Sequence, residues 1–477
     1  MNNQSSVSNP ANRSEAAWAD LFRDGRGIYS TLVIMGVALH ALQILIIAIV
    51  MPTVVADIGG ADYYTWPAML YTIGSIIGAA SVGPVWNLLG VKGGYGCSAF
   101  AFVIGTIICA LAPDMLTLNI GRGLQGFGSG LVIGGGMALV SAVFSERLRK
   151  RILAAYQGVW MVAQLLGPAV GGVFAQLGWW RGSFWTMVPI ILIFAFIAVR
   201  YLPERLSEEQ TKEEKISFPF FRLLILTSGV FCIALAGPVE NSTARLALIV
   251  SAIAIIWFAF KLDKKAKNRL YPKRALSLFS PVGLALWIML LVGMVHTTVP
   301  LLIPLLLQVV HGVEPLFVSF VSLVISLGWT IGTFAVSGWT GKKETIALGS
   351  GPLLMMLGLL VITVTAQLPM LITLTVAAGL FGFGVGIHNV HLLSRTMEAA
   401  EKGEEQITAS SMPSIRSLGT AFGAALAGLL TQFAGLGTAT KIEEVGPAIT
   451  FSYGCGLIPI LFATGLMFWL LHITKKP

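Results

Sequence analysis

The sequence predicts an all-α integral membrane protein with 14 transmembrane helices arranged 6+2+6, as two pseudo-symmetric six-helix bundles. Composition is the first observation behind this prediction: 56% of the 477 residues are hydrophobic and only 11% are charged, against about 25% charged in soluble domains. A mean hydropathy of +0.82 cannot be hidden in one buried core, so lipid must surround the protein. The other two observations are the length of the apolar runs and an internal repeat.

Fourteen apolar runs of about 18 to 27 residues have the length needed to cross a hydrocarbon core of about 30 Å. They are continuous rather than alternating, which favours helices over a barrel, and a helix satisfies its own backbone hydrogen bonds in lipid. These runs, called spans 1 to 14, begin near Thr31, Thr65, Gly94, Leu116, Leu153, Phe184, Phe218, Thr243, Ser280, Leu316, Thr345, Leu368, Met412 and Ala448.

The formal net charge of +9 is explained by membrane topology. If both termini are cytoplasmic, nearly all of the 31 basic residues fall in cytoplasmic loops, as the positive-inside rule requires. The exceptions are Arg181, Arg245 and Lys441 outside, and Arg122 and Arg416 within spans. The sequence therefore predicts a multi-pass protein of the cell inner (plasma) membrane, in contact with lipid and with no nucleic-acid partner.

An internal repeat relates the two ends of the chain. The sequence GFGSG at 126–130 recurs as GFGVG at 382–386, and LGPAVGG at 166–172 recurs as LGTAFGA at 418–424. The offsets are 256 and 252 residues. One six-helix unit therefore occurs twice, with spans 7 and 8 as an inserted hairpin, and parallel halves of this kind are typical of transporters that rock about a central site.

The predicted organisation follows from the repeat and from the acid-rich gap after span 6. It comprises a cytoplasmic N-terminal tail (1–29), an N-terminal six-helix bundle (30–202), a cytoplasmic linker (203–217), an inserted two-helix hairpin (218–262), a second cytoplasmic linker (263–279) and a C-terminal six-helix bundle (280–477).

Several motifs carry a family resemblance. Span 4 opens with NIGRGLQGFGSG, span 5 contains QLLGPAVGG, and the C-terminal half contains LLLQVVHGVEPLFVS and IRSLGTAFG. Together they resemble the major facilitator superfamily, specifically its fourteen-helix drug:proton antiporter branch, over almost all of residues 31–473. The LGPAVGG stretch is the most specific, because it matches the antiporter motif of that branch. The resemblance implies a monomeric secondary transporter rather than an enzyme, with no cofactor.

The motif in span 5 suits a gate between helices. Gly167 and Gly171 lie on one helix face, so another helix can approach closely, and Pro168 permits a bend. Plain close packing is a compatible interpretation. In the loop after span 2, Gly83, Gly90 and Lys92 match the family's pattern, while its acidic residue and two of its basic residues are replaced, so we expect the turn to persist without a charge relay.

Arg122 in span 4 is a functional candidate, because a guanidinium within a span must face the bundle interior or a wet cavity. The resemblance implies a carboxylate partner in span 1, but Gln43 occupies that position. Two alternatives follow. Arg122 either contacts the substrate, or it is held by backbone carbonyls and Gln125 as part of the packing.

Proton coupling requires another titratable group, because none of the 22 acidic residues is expected at mid-membrane. His40 in span 1 and His296 in span 9 are candidates, since imidazole titrates near neutrality. They are 256 residues apart, so they either face each other across a central cavity or are neutral histidines bonded within their own bundles. Glu314, at the start of span 10, is a third candidate, and helix capping is its alternative role.

The predicted substrate site consists of a few polar side chains among apolar ones, which suits a broad site. Its predicted members are Gln43, Arg122, Gln125, Gln157, Gln164 and Gln308. We expect proton-coupled export of small amphipathic organic compounds, of the multidrug type, by alternating access.

An alternative is export of an anionic amphiphile, a lipid or siderophore, with histidine-based or no proton coupling, because Arg122 has no buried carboxylate partner. A polytopic membrane enzyme or sensor is disfavoured, since the sequence has no catalytic triad, zinc motif or nucleotide-binding loop. No metal site is expected either.

Overall fold

The computed structural model describes residues 18–205, 220–266, 269–438 and 442–474, and within these ranges the chain is helical and contains no strand. Most of the predicted N-terminal tail and of the linker 203–217 lies outside the described residues, as does the side chain of Gln157. The described helices are α1 (Gly27–Ile58), α2 (Trp66–Ala80), α3 (Val82–Leu111), α4 (Met115–Val143), α5 (Glu146–Gln176), α6 (Trp180–Trp185), α7 (Met187–Tyr201), α8 (Phe220–Leu235), α9 (Ser242–Lys265), α10 (Pro281–Leu305), α11 (Pro315–Val336), α12 (Lys342–Thr365), α13 (Leu371–Glu398), α14 (Glu405–Phe433) and α15 (Ile442–Ile473).

Among the described residues, eleven helical segments are long and apolar enough to cross a membrane. One of them combines α6 and α7, and another extends α10 through a π-helical turn at 306–310. The helices α2 and α8 have 15 and 16 residues, fewer than the approximately 20 that a span needs, and the first half of α14 is polar. The chain is therefore an all-α multi-span membrane protein, and the count of fourteen spans stays a prediction.

Helix packing follows the same pattern in the two ends of the chain. In the first, α4 packs against α1, α2 and α3, and α1 packs against α5. In the second, α13 packs against α11 and α12, and α10 packs against α14. The helices α8 and α9 pack on each other, and α8 also contacts α2 and α14. Contacts of α5 with α11 and of α2 with α14 join the two ends.

The repeated glycine motif allows backbones to meet at equivalent places. A Cβ atom on Gly126 of α4 would overlap the carbonyl of Tyr71 in α2, and one on Gly382 of α13 would overlap the carbonyl of Ile325 in α11. Without a hydrophobic force between helices in lipid, such close backbone approach supplies the packing contacts.

The middle glycine of each motif faces a third helix. Gly128 packs on the backbone of Phe102 in α3, and Gly384 lies against the backbone nitrogen of Met355 in α12. The sequence repeat thus corresponds to a repeat of three-helix packing, α2–α3–α4 and α11–α12–α13.

The two glycines predicted for the turn after α2 differ in their surroundings. Gly90 has φ 72° and ψ 176°, a conformation that is essentially restricted to glycine. A Cβ there would lie 2.6 Å from the carbonyl oxygen of Glu204, which also accepts a hydrogen bond from the Val91 nitrogen at 2.8 Å. A Cβ on Gly83 would meet no heavy atom within 4 Å. The backbone therefore requires glycine at 90, and packing does not require it at 83.

Replacing Gly128 by alanine is expected to lower the thermal midpoint of the purified protein. Alanine is favoured over glycine in a helix by about 1 kcal/mol, but a methyl group at 128 pushes α4 away from α3, and overpacking costs about 1–3 kcal/mol. Gly123→Ala on the same helix is the matched control, because a Cβ there meets nothing within 4 Å. Thermal unfolding in one detergent measures both variants, and an equal midpoint for the two would contradict the packing argument.

Candidate functional site

A cavity lies among α10, α13 and α14, near the middle of α10 and α14. About 390 Å³ of space, open solvent included, lies between its lining side chains, which are His296, His388, Asn389, Arg416 and Thr420 together with aliphatic ones. Tyr156 of α5, a helix from the other end of the chain, lies within electrostatic range of Arg416. This space, called the central cavity below, therefore faces the region where the two ends of the chain meet.

Arg416 is the cationic side chain of the central cavity. Its guanidinium carbon lies 4.8 Å from the centroid of the Trp329 ring, and the residue is exposed. Its backbone carbonyl accepts a hydrogen bond from the hydroxyl of Thr420 at 3.1 Å. From the sequence, Arg416 is expected within a span and has no predicted role. The signal was available, because the rule that singled out Arg122 applies equally to Arg416.

His296 shares this region with Arg416. Its ring meets Trp329 edge-on with centroids 5.0 Å apart, and it stacks parallel to Phe381 with centroids 6.5 Å apart. His388 is 1% exposed, and its Nδ1 lies 2.7 Å from the carbonyl oxygen of Gly384. The partly exposed His296 is therefore the imidazole of this group that is more open to solvent.

His40 lies in a hydrogen-bonded cluster of the N-terminal half. Its Nδ1 is 2.7 Å from the hydroxyl of Ser129 and 3.2 Å from that of Tyr71, and the Tyr71 hydroxyl also donates to Ser129 at 2.7 Å. The Arg122 guanidinium lies over the Tyr71 ring, 4.2 Å from its centroid. These partners come from α2 and α4, whereas the rings around His296 come from α11 and α13. The two histidines thus have separate surroundings.

Arg122 is 0% exposed, and its described hydrogen bonds stay within the N-terminal half. Nε donates to the carbonyl of Pro67 at 3.1 Å, Nη2 to that of Gln43 at 3.4 Å, and Nη1 to Oε1 of Gln125. Gln125, also 0% exposed, donates to the hydroxyl of Thr106 at 2.9 Å. This geometry matches the packing alternative. Neither Arg122 nor Gln125 presents a surface to a ligand in this conformation, and their substrate-binding role stays a prediction.

The remaining amides predicted to bind substrate occupy different environments. Gln43 is 1% exposed, and its Nε2 has no hydrogen-bond partner in the described part of the chain. Gln308 donates from Nε2 to the carbonyl of Ile49 in α1 at 3.0 Å, so it joins the two halves. Gln164 is partly exposed on α5. The glutamines therefore do not form one cluster.

The glycine motif of α5 lies at the contact with α11. Gly167 and Gly171 pack on α1, and a Cβ on Gly172 would overlap the hydroxyl of Ser319 in α11. That hydroxyl donates to the carbonyl of Pro168 at 2.7 Å. The predicted gating residues thus lie on both the α1 and the α11 side of one helix.

The bonds between the halves cluster toward one face of the membrane. We call it the loop-1 face, because residues 59–65 connect α1 and α2 there. Gln432 of α14 donates to the carbonyl of Ala61 in this loop at 3.1 Å, and the bonds of Gln308 and Ser319 lie near helix ends on the same side. The halves are therefore held together at the loop-1 face.

Glu314 lies at the loop-1 face and is exposed. It precedes Pro315, the first residue of α11, but its side chain makes no capping hydrogen bond there. Glu314 therefore occupies the predicted capping position without the predicted cap bond, outside the central cavity.

Comparisons with known proteins agree on the family. The sequence profile of the Major Facilitator Superfamily matches residues 33–424. A protein named "probable multidrug-efflux transporter" in Mycobacterium tuberculosis is 29% identical over 94% of this chain and 96% of its own length. "Multidrug resistance protein 3" of Bacillus subtilis is 24% identical over 83% of this chain and 77% of its own length.

Solved structures show the same fold. A peptide transporter in complex with sulfate has a TM-score of 0.65 at 15% identity and covers 94% of this chain and 96% of its own. A D-xylose–proton symporter has a TM-score of 0.62 at 14% identity, and the match covers 92% of this chain and 97% of the symporter chain. With the profile match extending over most of its length, the chain belongs to the Major Facilitator Superfamily and is a membrane transporter rather than an enzyme.

Proposed function

We propose that this chain exports small amphipathic organic compounds by alternating access, as a multidrug-type efflux transporter. The observation that carries the proposal is the arrangement of the halves, which are bonded at the loop-1 face and leave a cavity lined by aliphatic and polar side chains in similar number. The aliphatic part of such a lining binds apolar bodies, and its polar groups orient them. The mycobacterial relative, named for multidrug efflux and similar over 94% of this chain, supports the export direction.

The proposed topology has fourteen spans and both termini in the cytoplasm of a plasma membrane. The halves comprise 30–202 and 280–477, with the hairpin 218–262 between them. The helices α2, α8 and α14 supply the three spans beyond the eleven long apolar segments, and α2 and α14 tolerate polar residues because each packs on several neighbouring helices. Under this topology the loop-1 face is extracellular, and the structure is an inward-facing state.

Protons are the proposed coupling ion, and His40 is the best-placed carrier. It is partly exposed and is joined through Tyr71 to Arg122, which bonds α4 to backbone carbonyls of α1 and α2. Protonating the imidazole adds a positive charge close to that guanidinium, which disfavours the arrangement that holds the three helices together. His296 is the corresponding candidate in the second half, and Glu314 is more remote from the cavity.

Substrate-dependent proton movement is expected in proteoliposomes containing the native protein, and His40→Gln should abolish it. Glutamine keeps hydrogen-bonding capacity but cannot carry the charge. A pH-sensitive dye in the lumen measures proton flux while a panel of cationic and anionic amphiphiles is added, and His296→Gln is tested in parallel.

His472→Gln is the matched control, because this histidine is exposed at the end of α15 and should retain full flux. Substrate transport without proton movement in the native protein would contradict proton coupling. Unchanged flux in both His40→Gln and His296→Gln would contradict the histidine assignment alone.

A disulfide between Gly172→Cys and Ser319→Cys should block transport reversibly. A Cβ at 172 would overlap the Ser319 hydroxyl in this state, so the two positions are adjacent, and a disulfide formed after a small local shift would hold the loop-1 face closed. Export is measured after mild oxidation and again after reduction. Gly158→Cys with Ser319→Cys is the control pair, since a Cβ at 158 meets nothing within 4 Å. Full export by the oxidised, verified cross-linked pair would contradict alternating access at this contact.

A further inference from the structure

We propose that Arg416 determines the specificity of the central cavity by binding the anionic headgroup of an amphiphile. The inference rests on the proposed transport function, because it names the class of compound that the cavity accepts. The two arginines within spans differ in exposure, since Arg122 is buried and Arg416 is exposed.

The guanidinium N–H groups of Arg122 donate to protein acceptors, whereas those of Arg416 do not within the described residues. Arg122 is 0% exposed and donates to two backbone carbonyls and to Gln125. Arg416 is exposed, and in the described part of the chain its guanidinium has no protein acceptor among the hydrogen bonds and no carboxylate partner among the ion pairs. Its N–H groups are thus available to a ligand.

The surroundings of Arg416 leave its positive charge uncompensated. The described lining of the cavity contains no carboxylate, and its other titratable side chains, His296 and His388, can only add positive charge. Within a protein cavity the attraction between opposite charges is stronger than in bulk water. An anionic ligand supplies the opposite charge, whereas a cationic ligand meets repulsion.

The indole ring of Trp329 limits the side from which a headgroup can approach Arg416. The indole ring covers one face of the guanidinium at 4.8 Å, so the planar edge with its N–H donors is left for a ligand. A carboxylate, sulfonate or phosphate matches this edge in a bidentate manner, which lysine cannot reproduce. The ring beside it offers an aromatic surface for the apolar body of the same molecule.

The internal repeat places an arginine at this position in one half only. At the offset of 252 residues, the position of Arg416 in α14 corresponds to Gln164 in α5. The second half therefore presents a guanidinium where the first half presents a neutral amide. An amphiphile with one anionic end fits this asymmetry, with its headgroup on α14 and its apolar part away from it.

Binding of two matched probes tests the proposal. The probes are 8-anilinonaphthalene-1-sulfonate and N-phenyl-1-naphthylamine, which share a ring skeleton and differ in the sulfonate. Dissociation constants are measured by probe fluorescence with the full chain in lipid nanodiscs, after subtracting empty nanodiscs. Arg416→Gln should weaken sulfonate binding about tenfold, the effect of losing one charged hydrogen bond, and should leave the neutral probe unchanged. Arg416→Lys should give an intermediate loss.

Arg200→Gln is the matched control, because it removes the same charge at the end of α7, where Arg200 is exposed and contacts Tyr201. It should leave both dissociation constants unchanged. Equal weakening of both probes by Arg416→Gln, or no weakening of either, would overturn the proposal. So would a loss of sulfonate binding in Arg200→Gln equal to that in Arg416→Gln.

Transport of the same probes in proteoliposomes separates this proposal from the proposed function. Export of the neutral probe with no charge preference in binding leaves the transport function standing and overturns the role of Arg416. Arg416-dependent binding without export of either probe upholds the anion site and counts against efflux.

Discussion

Close backbone contact at glycines is the constraint on which the rest of this structure depends. Helices in lipid gain nothing from hiding apolar side chains from water, so their association needs tight van der Waals contact. Gly126 and Gly128 in α4, and Gly382 and Gly384 in α13, provide it by letting carbonyls of neighbouring helices occupy the space of a side chain. Each half is therefore packed closely around one central helix, α4 in the first and α13 in the second.

The interior of a half and the boundary between the halves offer an arginine side chain different surroundings. Inside the N-terminal half, the buried Arg122 joins three helices through carbonyl acceptors. Near the boundary, Arg416 remains open to a cavity beside an aromatic ring. A buried and bonded guanidinium stabilises one arrangement of helices, whereas an exposed one remains available to whatever enters the cavity.

The sequence was sufficient for the family, the helical membrane fold and the repeat. Glycine spacing is informative because it is imposed directly by backbone contact, so GFGSG and GFGVG retained the same positions relative to their neighbours. The substrate residues were less predictable. Whether Gln43 or Gln125 points inward depends on how each helix is rotated against its partners, which one apolar run does not encode.

Other features depended on geometry that sequence patterns do not contain. Gln308 reaches the carbonyl of Ile49 from a π-helical turn, and no residue type in that stretch signals the turn. Arg416 was visible as an arginine within a span, but only the arrangement of α11, α13 and α14 distinguishes it from Arg122.

The hydrogen bonds between the halves at the loop-1 face share one kind of acceptor. Ser319, Gln308 and Gln432 donate to the carbonyls of Pro168, Ile49 and Ala61, and every acceptor is a main-chain atom. Neither partner in such a bond ionises, so these bonds do not weaken when salt screens charges or when the medium is acidified. The acceptors also survive side-chain replacement at their own positions. These three bonds of the loop-1 face therefore tolerate changes in ionic strength, in pH and in the side chains of the acceptor residues.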